Sequence, residues 1–302
     1  MESLPETPPP VAYQHFRMRT DDGVGLAVQT VGQGPPVLVA NGIGLTVPVL
    51  DFLVAELRQR YRVILWDYRG AGHSPLPATI RDVSMARHAR DALQVLDGLG
   101  IARAAVVGWS MGVPVGLELL RLAPERVAGL AALFGAATPP FRGAVPEALS
   151  QAIDLGFRLT RRVPLPAHLL VRLGQAVPPL AWLVCSAVRF VGPRTHRRLF
   201  QHCVENVAEA QRQAYFRMLV ELLQYDARDL LPRVRCPVLV VAGDDDWVVP
   251  PVVGREMAAR IPGARLLVLE HTSHFGVMER GATLWAPLGE LLERAFAPSD
   301  AA

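Results

Sequence analysis

Hydrophobic and polar positions along this chain follow two alternating patterns. Short stretches that are apolar at nearly every position occur at residues 36–40, 63–66, 104–107, 237–241 and 266–269. A run with no polar face predicts a strand covered on both sides, as in a parallel sheet. Between these runs, residues 47–60, 83–98, 111–122 and 250–261 carry apolar residues at the spacing of a helix face. Strand and helix in alternation predict right-handed βαβ units around a mostly parallel sheet. Residues 15–20 and 24–31 flank Asp21-Asp22-Gly23, which predicts an antiparallel hairpin ahead of them.

One interval breaks the rhythm. After the apolar run 127–134, the next buried-strand signal is at Pro237. The stretch between is rich in helix formers and arginine and is punctuated by prolines. It predicts a helical insertion over 137–231. The core is thereby divided into a first part, 1–136, and a second part, 232–302.

Composition narrows the class. The 302 residues are 51% hydrophobic and 20% charged, which excludes a disordered or collagen-like chain. A net charge of +3 with no clustered basic run argues against a nucleic-acid partner. Three cysteines without CxxC spacing predict neither a disulfide framework nor a metal site, and a reducing cytoplasm is the expected setting. The N-terminus has no basic and apolar leader pattern, so no secretory signal is expected. The apolar run 176–188 contains Pro178 and Pro179 and is too short to span a bilayer, so no integral membrane segment is expected.

The candidate chemistry falls where the predicted strands end, the edge at which such sheets gather functional groups. Gly108-Trp109-Ser110-Met111-Gly112 lies between a strand and a helix. A G-x-S-x-G turn there is sharp enough to push the Ser110 hydroxyl out of the sheet edge. A helix starting at Met111 offers free N–H groups beside it. A serine needs a general base, and His271 and His274 both follow the last strand signal. His73 reads as structural, and the histidines at 15, 88, 168, 196 and 202 read as solvated or capping residues. The base needs an orienting carboxylate, and Asp244, Asp245 and Asp246 stand together after residues 237–241. One of the three should point inward and two should meet solvent, because three like charges cannot all be buried. Asn41-Gly42-Ile43-Gly44 follows the strand 36–40, and the backbone N–H groups of Ile43 and Met111 are the expected oxyanion donors.

Taken together these motifs resemble the α/β-hydrolase superfamily, in particular its small bacterial esterases, enol-lactonases, cofactor-free haloperoxidases and C–C hydrolases. Asn41–Gly44 stands where that family has His-Gly-x-x, and Asp67-Tyr68-Arg69-Gly70-Ala71-Gly72-His73-Ser74 is similar to its D-x-R-G-x-G-x-S loop. The run 243–250 is similar to G-x-x-D-x-x-V-P, and Ser273-His274-Phe275 with Glu279 to G-H-F…E. The resemblance selects Asp246 and His274, in the order Ser110, Asp246, His274. It implies a mostly parallel eight-stranded sheet flanked by helices, with the insertion as a cap. Asn41, Ser273 and Val113 depart from the usual histidine and glycines. A serine nucleophile argues against the haloalkane dehalogenase and epoxide hydrolase branches.

The expectation is a serine hydrolase of an ester, thioester or lactone with Ser110, Asp246 and His274 as catalytic residues. C–C hydrolysis, acyl transfer on the same triad, or ligand binding with little turnover are the alternatives. No cofactor or metal is implied. Asn41, Trp109, Trp182 and Trp247 are the expected pocket residues, and an apolar acyl or aromatic small molecule the expected substrate. Arg194, Arg197 and Arg198 read as a solvated helix face.

Overall fold

The computed structural model describes residues 10–44, 50–76, 82–142, 178–187, 190–195, 197, 200 and 209–297. Eight strands form one sheet: β1 (Gln14–Arg19), β2 (Gly25–Val31), β3 (Pro36–Ala40), β4 (Arg62–Trp66), β5 (Ala104–Trp109), β6 (Val127–Leu133), β7 (Val238–Gly243) and β8 (Arg265–Leu269). Their spatial order is β1-β2-β4-β3-β5-β6-β7-β8. β1 and β2 pair antiparallel and β2 meets β4 antiparallel, while every pairing from β4 to β8 is parallel.

The continuous apolar runs have a direct cause. Alternate residues of each central strand enter opposite cores. Leu38, Ala40, Ile64, Val106 and Val240 belong to the core on one face. Val37, Val39, Val63, Val107 and Val241 belong to the core on the other. The first core is closed by α2 (Met85–Gly98), α3 (Gly112–Leu122) and α6 (Pro251–Arg260), and the second by α1 (Asp51–Leu57) and α8 (Gly281–Phe296). A one-residue register slip would exchange the two sets, so packing on both faces pins the register.

Helix boundaries follow local chemistry. α2 begins where the Ser84 hydroxyl accepts the Arg87 N–H, and α6 begins on Pro251, whose missing N–H costs nothing in a first turn. The predicted helix 47–60 is shorter than expected, at Asp51–Leu57, and residues 45–49 lie outside the described set. β5 runs two residues past its predicted end, and Met111 is the cap of α3 rather than its first residue.

Between β6 and β7 the described residues contain α4 (Pro178–Ala187) and α5 (Glu209–Leu223). α5 is not detached from the core: its Ala214, Met218 and Leu222 are buried in the α2/α3 cluster.

Candidate active site

The carboxyl ends of β3, β5, β7 and β8 lie along one edge of the sheet. The loop after each strand contributes one part of the site. After β5 the chain reverses at Ser110, whose φ of 53° lies in the left-handed region. A non-glycine residue is held there only when its surroundings enforce it. They do so here through two glycines. A Cβ on Gly112 would sit 2.0 Å from the Ala40 carbonyl oxygen, and one on Gly108 would sit 2.5 Å from the Gly112 carbonyl oxygen. Strand β5, helix α3 and the end of β3 thus approach too closely for any side chain at either position. The Ser110 N–H donates to the Leu133 carbonyl at 2.9 Å, tying the turn to β6.

The Ser110 hydroxyl lies 2.8 Å from His274 Nε2, and His274 Nδ1 lies 2.8 Å from Asp246 Oδ2. The other oxygen of Asp246 accepts the N–H groups of Val248 and Val249, both at 2.9 Å. The carboxylate is therefore aimed by its own turn, and it is buried. Asp244 is exposed and Asp245 half-buried, which is the one-in, two-out division that three adjacent carboxylates require. Asp244 accepts the Thr272 N–H and so braces the loop that carries His274. His271 is exposed, with a φ of 51°, and points no ring nitrogen into this chain of hydrogen bonds.

Trp109 is wholly buried. Its indole N–H donates to the His274 carbonyl at 3.2 Å and its ring meets Phe275 edge-on at 5.8 Å. It therefore supports the histidine loop from beneath and does not line an open pocket, contrary to the sequence expectation. Asn41 is also buried, and its Oδ1 accepts the N–H of Gly42. That leaves Ile43 as the next N–H along the loop. Trp182 is half-buried against Phe200 at 5.6 Å. Trp247 stacks on Phe141 at 5.4 Å and faces Phe190 edge-on at 6.3 Å. Phe190 in turn stacks over the His274 imidazole at 6.4 Å. Phe190 was not anticipated from the sequence, because it lies in the insertion, 84 positions from the histidine it covers.

The loop after β4 is a brace. Asp67 accepts the His73 N–H, and the fully buried Arg69 bridges Asp91 and Asp22. Tyr68 donates its hydroxyl to the Asn41 carbonyl at 2.8 Å, and burial pushes its phenol up, so the group remains a donor. Beneath Tyr68, at 4.6 Å between ring centroids, lies His88. His88 is fully buried, and no side chain among the described residues hydrogen-bonds either ring nitrogen, which corrects its reading as a solvated or capping histidine. The helical stripe Met85, Ala89, Ala92, Val95 and Leu96 carries the missed signal, because His88 falls on it. Arg194 and Arg197 are exposed, but Arg194 lies in a turn rather than on the helix face expected for it. His168 and Cys203 lie outside the described residues, as do His196, Arg198 and His202.

Fold and site together define a class. The chain matches the alpha/beta hydrolase fold family over residues 35–281 and belongs to that family, as a hydrolase. It is 30% identical to RutD of Azorhizobium caulinodans, itself a proposed carbamate hydrolase, over 80% of this chain and 85% of that protein. It is 29% identical to the pimeloyl-[acyl-carrier protein] methyl ester esterase of Chromobacterium violaceum, over 89% and 99% of the two chains. Among solved structures it resembles a hydrolase of Pseudomonas aeruginosa, with a TM-score of 0.71, 26% identity and coverage of 92% and 98%. No helix among the described residues is long and apolar enough to cross a membrane.

Proposed function

We propose that this chain is a serine hydrolase that cleaves a carboxylic ester, thioester or lactone through an acyl-enzyme. The observation that carries the reading is the continuous chain Ser110 Oγ, His274 Nε2, His274 Nδ1, Asp246 Oδ2, with 2.8 Å at each link. Ser110 attacks the acyl carbonyl while His274 takes the hydroxyl proton at Nε2. Asp246 holds the imidazole by its Nδ1–H and stabilises the imidazolium that forms. The N–H of Met111, at the free amino end of α3, and that of Ile43 stabilise the oxyanion. The imidazolium then protonates the leaving oxygen or sulfur and the acyl-enzyme remains. Water, deprotonated by the same imidazole, attacks it and returns Ser110 with the carboxylic acid.

The aromatic group Phe141, Trp247 and Phe190 beside His274 supports an apolar acyl or aromatic substrate. The esterase named among the relatives supports an ester bond. We read 137–231 as the cap, and its two ends meet where the Ala227 N–H donates to the Ala137 carbonyl at 2.8 Å.

The test is covalent labelling by a fluorophosphonate together with turnover of short p-nitrophenyl esters. Both should be lost in Ser110→Ala, and labelling at the parent rate in that variant removes Ser110 from the role. Incorporation of one 18O from labelled water into the acid product separates hydrolysis from acyl transfer.

A further inference from the structure

Glu279 is buried in the single helical turn α7 (Gly276–Glu279), next to the His274 loop. Its carboxylate collects donors from two separate parts of the chain. From the histidine loop, the Ser273 N–H donates to Oε2 at 2.8 Å and the Ser273 hydroxyl to Oε1 at 2.6 Å. From the region between β6 and β7, the Thr195 hydroxyl donates to Oε1, and the Gly192 N–H lies 3.1 Å from the same oxygen. The Gly192 N–H is also within 3.1 Å of the Ser273 hydroxyl and 3.0 Å of that of Thr195. Among the described residues no cation pairs with Glu279, and these donors are what offset the burial of its carboxylate.

The packing is as tight as the bonding. A Cβ on Gly192 would sit 2.6 Å from Glu279 Oε1, so any other residue there would push the carboxylate off the donors that hold it. Phe190, at the start of the same segment, stacks on His274 and packs edge-on against Phe275 at 5.4 Å. The segment is tied back to α4 through the Phe190 N–H, which donates to the Cys185 carbonyl.

We propose that Glu279 couples the segment 190–195 to the His274 loop, making Thr195 and Glu279 positioning residues for the base and the seating of this segment a condition for an aligned Ser110–His274 pair. This rests on the serine-hydrolase reading above. Withdrawal of the segment removes two donors from a buried carboxylate and the aromatic cover from the imidazole at once. The Ser273 loop then loses the fixed acceptor that orients it. A base displaced by about 1 Å loses on the order of a hundredfold in rate.

The test uses Thr195→Val, which keeps shape and removes the hydroxyl, with Thr195→Ser as the conservative rescue. Thr195→Val should lower kcat for a p-nitrophenyl ester and the fluorophosphonate labelling rate by about ten- to a hundredfold, with KM little changed. It should also broaden or shift the downfield proton resonance of the His274 Nδ1–H, and Thr195→Ser should restore both. Gly192→Ala should act like Thr195→Val. A folded Thr195→Val or Gly192→Ala with the parent labelling rate and resonance overturns the coupling. Should both variants fail to fold, amide exchange in the parent decides: Gly192 and Ser273 should be protected together, and exchange of Gly192 at the rate of a free loop overturns the proposal. Labelling that survives Ser110→Ala would instead fail the underlying hydrolase reading, so the two failures are distinct.

Discussion

His88 should make this fold sensitive to mild acid, and the size of the effect follows from its burial. The imidazole is fully enclosed between α2 and Tyr68. Enclosure, assisted by the Arg69 guanidinium, pushes it from 6.5 down to about 3. The folded protein therefore keeps His88 neutral at pH 5, while the unfolded chain takes up a proton below pH 6.5. A depressed folded value gives stability that is present above 6.5 and is lost as pH falls below it. At pH 5 the unfolded state gains RT ln(1 + 10^(6.5 − 5)), about 2 kcal/mol, or roughly a thirtyfold shift toward unfolding. This figure is insensitive to the folded value so long as that stays well below 5. The variant His88→Leu removes the titration and puts an apolar side chain of similar size in the buried site, so its cost at pH 7.5 should be small. Urea unfolding followed by far-ultraviolet circular dichroism at pH 7.5 and pH 5 gives both differences. The parent should lose about 2 kcal/mol more than the variant between the two values. An equal loss in both proteins would refute the reasoning. So would an imidazole C–H resonance of His88 that titrates in the folded state between these values.

Three further outcomes are expected. Asp246→Asn should lower kcat about a thousandfold or more, because the amide leaves His274 without an anionic partner, whereas Asp244→Asn and Asp245→Asn should cost far less; equal losses in steady-state assays would misplace the acid. Arg69→Ala should destabilise the fold by about 3 kcal/mol in urea titration, since Asp91 is buried beside it and would keep only Arg87; a change within about 0.5 kcal/mol would contradict the buried-pair argument. Asp22 is held down to about 2 chiefly by its hydrogen bond to Arg69, so the stability it contributes is present above its ordinary 3.8 and disappears as pH falls from there toward 2; Asp22→Asn should flatten that part of the acid-unfolding curve, and an unchanged curve would exclude it.

Much of this architecture was legible in one dimension. Runs such as 36–40 and 104–107 are apolar at every position because each alternate residue enters a different core, and that need leaves a mark in composition. The glycines at 108 and 112 were readable for a similar reason, since backbone approaching within 2.0–2.5 Å of where a Cβ would stand allows no other residue. Local chemistry also anticipated that three adjacent aspartates would divide between interior and solvent.

Other features depended on packing between distant parts of the chain. Trp109 sits within the motif, but its indole turns under the His274 loop, an orientation set by strand parity in β5 rather than by its neighbours. His88 looked like an ordinary polar residue on a helix until the fold placed it beneath Tyr68, where the helix must meet the sheet. Phe190, Gly192 and Thr195 belong to a stretch with little periodic signal, and the His274 and Glu279 side chains they meet lie more than eighty residues away. A hydrogen bond to Glu279 leaves no trace in local hydropathy, because what selects it is the geometry of a buried carboxylate that only the assembled chain creates.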